Sequence, residues 1–210
     1  RFLQRMPFAP PYEVEDGTLR LGGRRGDKEL AAAVRDQPWA HVTALNLSSC
    51  KVSSRALVEL AQALERDPAR DKLAAIDLSD CQNVGRDGVT AVAAIVERAR
   101  DFDSLSFRGC GRLEDDAPPM LAYLLRNGAS LRALDLSRCF ALSDVGAAEI
   151  AKALHANRTL SSLRLATCVR LTDRSLVELA TALRKNATLV VLDVSSCSLV
   201  SDRGVEALAR

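Results

Sequence analysis

The sequence predicts an α/β solenoid, a stack of strand–turn–helix units. Two observations carry this. Six cysteines recur at a near-fixed interval: Cys50, Cys81, Cys110, Cys139, Cys168 and Cys197 stand 31, 29, 29, 29 and 29 residues apart. Each closes the same pattern, L-x-x-L-x-L-x-x-C, in "VTALNLSSC", "LAAIDLSDC", "FDSLSFRGC", "LRALDLSRC", "LSSLRLATC" and "LVVLDVSSC". A period of this length marks supersecondary units that cannot bury an apolar face alone and therefore stack.

The strand is read from "LDL", where two apolar residues stand two apart and share one face, with the residue between them on the other. A short loop follows the cysteine. Then comes an amphipathic run: "ALVELAQAL", "GVTAVAAIV", "PPMLAYLL", "GAAEIAKAL", "SLVELATAL" and "GVEALA". In "SLVELATAL", Leu176, Leu179 and Leu183 recur at helical spacing, and alanines in the gaps let the helix approach the strands. Ser143, Thr172 and Ser201 each precede an aspartate and suit the helix N-cap, with the acid in the first turn. Pro118 and Pro119 fit the first turn of their helix. Asn127, Asn157 and Asn186 fall at helix ends, where Asn accepts a left-handed cap. The first repeat departs from the rest. Its loop after Cys50 is one residue short, and "ERDPARDK" lengthens the link to the next strand.

These residues resemble leucine-rich repeats, most like the ribonuclease-inhibitor subtype, with loops like those of the cysteine-containing subtype, C-x-x-L-[ST]-D-x-G. The resemblance covers Val42 to Arg210. It implies a curved array with parallel strands on the concave face and helices on the convex face. Residues 41–210 are then six leucine-rich repeats, the last incomplete. Residues 19–40 are a degenerate N-terminal cap, with a short strand, Gly-rich turn and helix in "LRLGGRRGDKELAAAVRD". Residues 1–18, with Phe2, Met6, Phe8 and Tyr12 among three prolines, form an N-terminal arm that lies on the array or docks a partner. By register with Leu154 and Leu183 the last helix should run on past Arg210, so either a longer protein or an end that meets another chain is expected. Val190 and Val191 point outward on the last strand, which fits something covering that end.

Composition bounds the function. The chain has 210 residues, 48% hydrophobic and 27% charged, as folded proteins have. Its net charge is +2 with no dominant basic block, which argues against nucleic acid as the main partner. No apolar run approaches the ~20 residues that span a bilayer, so no membrane insertion is expected, and the first residues lack the apolar core of a signal peptide.

No reactive constellation emerges. Zinc sites use cysteine pairs two to four residues apart, and none occurs. Stacked parallel side chains hold the Cβ atoms too far apart for an unstrained disulfide, so each Cys reads as a small buried residue sealing its turn. Six free thiols favour a reducing, cytoplasmic location. The only histidines, His41 and His155, complete no Ser/His/Asp or Cys/His set. The sequons at Asn46, Asn157 and Asn186 coincide with a strand and two helix ends. "LEDDAPP" (Glu114, Asp115, Asp116) reads as a solvated helix start rather than a metal site. "RLGGRRGD" lacks the P-loop pattern. No catalytic residue, metal, cofactor or small-molecule ligand is expected.

What remains is surface. The central concave stripe carries Asn46, Asp77, Ser106, Asp135, Arg164 and Asp193, with Asp80, Asp103, Arg108, Arg132 and Arg138 beside it. The first two repeats are acidic there and the middle three carry the arginines. Arg108, Arg138 and Arg164 are the best anchors, able to hold a partner's carboxylates in bidentate pairs. A plain solvated face accounts for the same stripe. The leading reading is a non-enzymatic protein–protein interaction module, a scaffold subunit or domain of a larger intracellular assembly, binding other proteins through its concave face and N-terminal arm. The resemblance implies further readings: a ubiquitin-ligase substrate receptor, an enzyme inhibitor, or a GTPase-activating protein of the Ran-regulator type with Arg20, Arg24 and Arg25 as suspects.

Overall fold

Each L-x-L segment turns its two apolar side chains to one face, and in the computed structural model a strand of three residues is centred on the first of them. The structure describes residues 13–21, 25–36, 39–65, 67, 71–127 and 130–209. In chain order the elements are β1 (Glu13–Glu15), β2 (Thr18–Arg20), α1 (Asp27–Asp36), a 3-10 turn (Trp39–His41), β3 (Ala44–Asn46), α2 (Ser54–Glu65), β4 (Ala75–Asp77), α3 (Arg86–Arg98), β5 (Ser104–Ser106), α4 (Pro118–Arg126), β6 (Ala133–Asp135), α5 (Asp144–Leu154), β7 (Ser162–Arg164), α6 (Asp173–Leu183), β8 (Val191–Asp193) and α7 (Asp202–Leu208). The eight strands form one open sheet in sequence order. From β2 to β8 every pairing is parallel and advances one repeat per rung. Only β1 runs antiparallel, to β2. Its turn places Asp16 and Gly17 at φ 48° and 75°, the two left-handed positions an Asp-Gly hairpin supplies. Residues 1–12 of the expected arm, and with them Phe2, Met6, Phe8 and Tyr12, lie outside the described residues.

The core sits between sheet and helices. Leu45, Ile76, Leu105, Leu134 and Leu163 at the strand centres are buried, as are Leu47, Leu78, Phe107, Leu136 and Leu165 just beyond the strands. All six cysteines are free and buried, the role expected of them. The sequence reading missed what their sulfur does. Each thiol donates to a carbonyl of the preceding rung: Cys50 to Leu21 (3.1 Å), Cys81 to Leu47 (3.0 Å), Cys110 to Leu78, Cys139 to Phe107 and Cys168 to Leu136 (3.2 Å each), and Cys197 to Leu165 (3.3 Å). Burial pushes the thiols of Cys81 and Cys168 up to about 12.

Ser143, Thr172 and Ser201 are N-caps, each accepting the N–H of the second helical residue. Pro118 and Pro119 open α4. The aspartates do more than face the dipole. Asp144 accepts the Thr172 N–H (2.9 Å) and hydroxyl (2.6 Å) of the next repeat, and the Ser175 hydroxyl. Asp173 takes the Ser201 N–H (2.7 Å) and hydroxyl (2.6 Å) in the same way. Asp115 takes the Ser143 N–H (2.9 Å) and hydroxyl and the Gly146 N–H (3.2 Å). The expectation of a merely solvated "LEDD" segment is therefore corrected for Asp115, which joins two repeats.

The expected left-handed asparagines are also corrected. Asn127 has φ −102°, and neither Asn157 nor Asn186 has positive φ. Asn157 and Asn186 instead donate to Leu125 and Leu154 carbonyls one repeat back (2.8 and 2.7 Å) and accept the N–H groups of Leu160 and Leu189 (2.8 and 2.9 Å). The amides are worth more as bridges between repeats than as local caps. The left-handed residue of each repeat lies just before the cysteine: Ser49, Asp80, Gly109, Arg138, Thr167 and Ser196, with φ between 57° and 69°.

Candidate functional site

The sheet face turned away from the helices is built of two in-register rows. One row runs Thr18, Ala44, Ala75, Ser104, Ala133, Ser162 and Val191, nearly all small. The other runs Arg20, Asn46, Asp77, Ser106, Asp135, Arg164 and Asp193. The expected stripe is thus one continuous line of neighbours. A shallow groove of about 480 Å³ crosses it from β2 to β7, floored by Ala44, Ala75, Ser104 and Ala133.

The acidic members of the stripe are not idle. Asp77 Oδ1 accepts the Ser79 N–H (2.8 Å) and hydroxyl (2.5 Å). Asp193 holds Ser195 in the same way (3.0 and 2.6 Å), Asn46 holds Ser48 (3.1 and 2.7 Å), and Asp135 accepts the Ser137 N–H (2.8 Å). These are Asx turns that close the strand end. The recurring "NLS" and "DLS" triplets carried that signal. The Ser195 hydrogen bonds, with the charge of Arg164 adding to them, hold the Asp193 carboxyl below its ordinary value. Ser106 accepts the Arg108 N–H (3.3 Å) and bonds Ser79 (2.9 Å). At the row's edge Asp103 and Arg132 pair at 3.9 Å, both exposed, a contact of small value in water.

The arginines differ. Arg164 stands between Asp135 and Asp193 in register, yet forms no ion pair with either. Arg108 and Arg138 are exposed, and none of the three has a side-chain hydrogen bond or ion pair among the described residues. Asp80 and Arg138 occupy the left-handed turn rather than the strand. The Asp80 carboxylate lies over Gly109, where an added Cβ would meet it. The face therefore combines partly occupied acceptors with free, forked donors.

The other candidates fall apart. Arg20 is exposed on β2 and Arg25 is half-buried near Lys51, whose N–H it accepts (2.7 Å), while Arg24 lies outside the described residues. The Asn157 amide is buried and fully hydrogen-bonded. Among the described residues no three His, Cys, Asp or Glu side chains are placed to hold a metal ion, and no helix is long and apolar enough to cross a membrane.

Comparison with known proteins bears on the fold. The family described as "Leucine Rich repeat" matches residues 40–61, 129–151 and 185–209, which fall on the first, fourth and sixth repeats. No curated protein matches the chain. Among solved structures, the tropomodulin C-terminal domain of Caenorhabditis elegans is 16% identical with a TM-score of 0.56, over 75% of this chain and 92% of that one. The leiomodin-1 actin-binding site 2 structure is 18% identical with a TM-score of 0.49, over 87% of each chain. Six cysteine-closed units on parallel strands of one sheet, three of them matched by the family, give this chain the fold of a leucine-rich repeat solenoid.

Proposed function

We propose that the chain is a non-enzymatic protein–protein interaction module, a scaffold domain that holds a partner along the outer face of its sheet. The observation that carries this reading is the state of the arginines. Arg108, Arg138 and Arg164 are exposed and, among the described residues, unpaired beside aspartates whose Oδ1 is already occupied. A guanidinium offers up to five donors in a rigid fork, so a partner that brings carboxylates to the groove meets ready donors. The small-residue floor lets that partner's backbone come close. Six buried free thiols suit a reducing compartment.

The test is quantitative affinity purification of the tagged full-length protein from its native cell. A scaffold should recover stoichiometric partners that survive moderate salt. A double variant, Arg108→Glu with Arg164→Glu, should lose them, because charge reversal at a docking face repels the same groups. An unchanged partner list would rule out this face, and a protein recovered alone would rule out the scaffold role.

A further inference from the structure

The loops between strand and helix form a rim distinct from the sheet face, and the rim changes character along the array. The residue after each cysteine is Lys51, Gln82 and Gly111 in the first three repeats, then Phe140, Val169 and Ser198. The fold thus accepts polar residues there, yet Phe140 is 46% and Val169 37% exposed. Val145, at the start of α5, is 63% exposed, and Leu199, one position further along the sixth loop, is 58% exposed. An aromatic left half in water at a position its own homologous loops fill with Gln or Gly does not serve the core.

Arginines flank this patch. The second residue after the cysteine is Arg112 in the third repeat, Ala141 in the fourth and Arg170 in the fifth. Phe140 therefore sits between two guanidinium-bearing rungs. The Arg170 Nη1 donates to the Ala141 carbonyl (3.0 Å), which fixes its head beside the patch without neutralising its charge. Arg112 is exposed, with no side-chain partner among the described residues. The carboxylates at the helix starts, Asp115, Asp144 and Asp173, are turned toward the next repeat and engaged with its N–H and O–H groups. Glu114 and Asp116, two and four residues from Arg112, and Asp202 in the sixth repeat are exposed. An exposed aromatic beside arginines, one of them held in place, matches the enrichment of aromatic residues and Arg at interfaces.

We propose that the rim of the fourth to sixth repeats, centred on Phe140 and Val169 and flanked by Arg112 and Arg170, docks an acidic peptide segment of a partner protein that carries a bulky apolar side chain. The apolar side chain covers Phe140 and Val169, and the carboxylates pair with the two guanidiniums. This surface is separate from the sheet face, so either can fail without the other.

The probe is a random 12-residue peptide display library panned on the full chain, followed by anisotropy titration of the enriched peptides and amide-shift mapping. The enriched peptides should combine Asp or Glu with Leu, Ile, Phe or Trp and perturb the amides of Phe140, Val169 and Arg170. Phe140→Gln, which installs what the second repeat already carries, should leave the melting temperature in place and weaken binding at least tenfold. Arg112→Glu should weaken it similarly, the affinity should fall with added salt, and Arg108→Glu with Arg164→Glu should leave it unchanged. Failure to enrich, enrichment of basic or uncharged peptides, or shifts on the sheet strands would each overturn the proposal. So would wild-type self-association that Phe140→Gln abolishes, since the occupant would then be a second copy.

Discussion

Thr167 is a β-branched residue held at φ 60°, a conformation that costs an L-residue roughly 1–2 kcal/mol and suits Thr least. Its counterpart in the third repeat is Gly109, at φ 69°. Thr167→Gly should therefore raise the urea unfolding free energy by about 0.5–1 kcal/mol, the strain relieved less the extra entropy of glycine. Gly109→Ala should lower it by about 2 kcal/mol or more, because the new Cβ meets the left-handed penalty and the Asp80 carboxylate as well. Asparagine is the left-handed residue expected from sequence because its side chain tolerates that region. Five different residue types at the six true positions, only one of them glycine, hid the turn. The thiols yield a second test at this scale. Their native values lie above the ordinary 9.0, at about 12 for Cys81 and Cys168. The unfolded chain then loses protons first, so stability is intact below about pH 9 and falls as pH rises toward 12. Thermal melting across pH 7 to 11 should show a plateau and then a steep decline. A flat profile would mean that the thiols titrate alike in both states.

The helix start is the element that joins repeats. Burial alone would raise the Asp144 carboxyl, but hydrogen bonds from Ser175 and Thr172 outweigh it and hold it below the ordinary value. In Asp173 the Ser201 hydroxyl and N–H lower it. Asp144→Ala should cost about 1–3 kcal/mol by leaving several donors of the next repeat without their acceptor. Asp202→Ala, in the same position of the sixth repeat and exposed, should leave stability nearly unchanged. Depressed carboxyl values also set the acid response: the contribution is present above about pH 4 and is lost as pH falls through the native values. Urea midpoints of both variants at pH 7 and pH 3 would check this, and Asp144→Ala should show the flatter acid profile. The N-caps themselves were legible, because Ser or Thr before Asp at a helix start has a local cause. The reach of the aspartate to the following repeat was not, since 28 residues separate Asp144 from Thr172 and only stacking brings them together.

The whole molecule inherits an uneven set of joints. Carboxylate bridges tie Asp27 to Ser53, Asp115 to Ser143, Asp144 to Thr172 and Asp173 to Ser201. Asparagine bridges are added from the fourth repeat on, at Asn157 and Asn186. Between the second and third repeats the rim has the Gln82 amide on the Gly109 carbonyl (2.7 Å) instead, and neither α3 nor α4 has a side-chain N-cap. In an array stabilised by nearest neighbours, opening begins at the weakest joint. Hydrogen exchange should find the strand amides of β6 and β7 slowest, with a step in protection between β4 and β5. Uniform protection across all repeats would show the joints to be equivalent. The architecture was readable because a repeated period amplifies a weak pattern six times. The sheet face was readable only in outline, because alternation tells which side chains point out but not that Asp77, Asp135 and Asp193 are committed to their own turns.

The cysteine column has a chemical consequence of its own. Each sulfur is sheltered by the coil it closes and by its neighbours, and none is tied to another. A thiol-reactive reagent therefore reaches a given cysteine only after that stretch of the spiral has parted. Six identical groups at known stations along one axis turn alkylation into a chronicle, in which the sequence of modified positions spells out where unwinding began and which way it travelled.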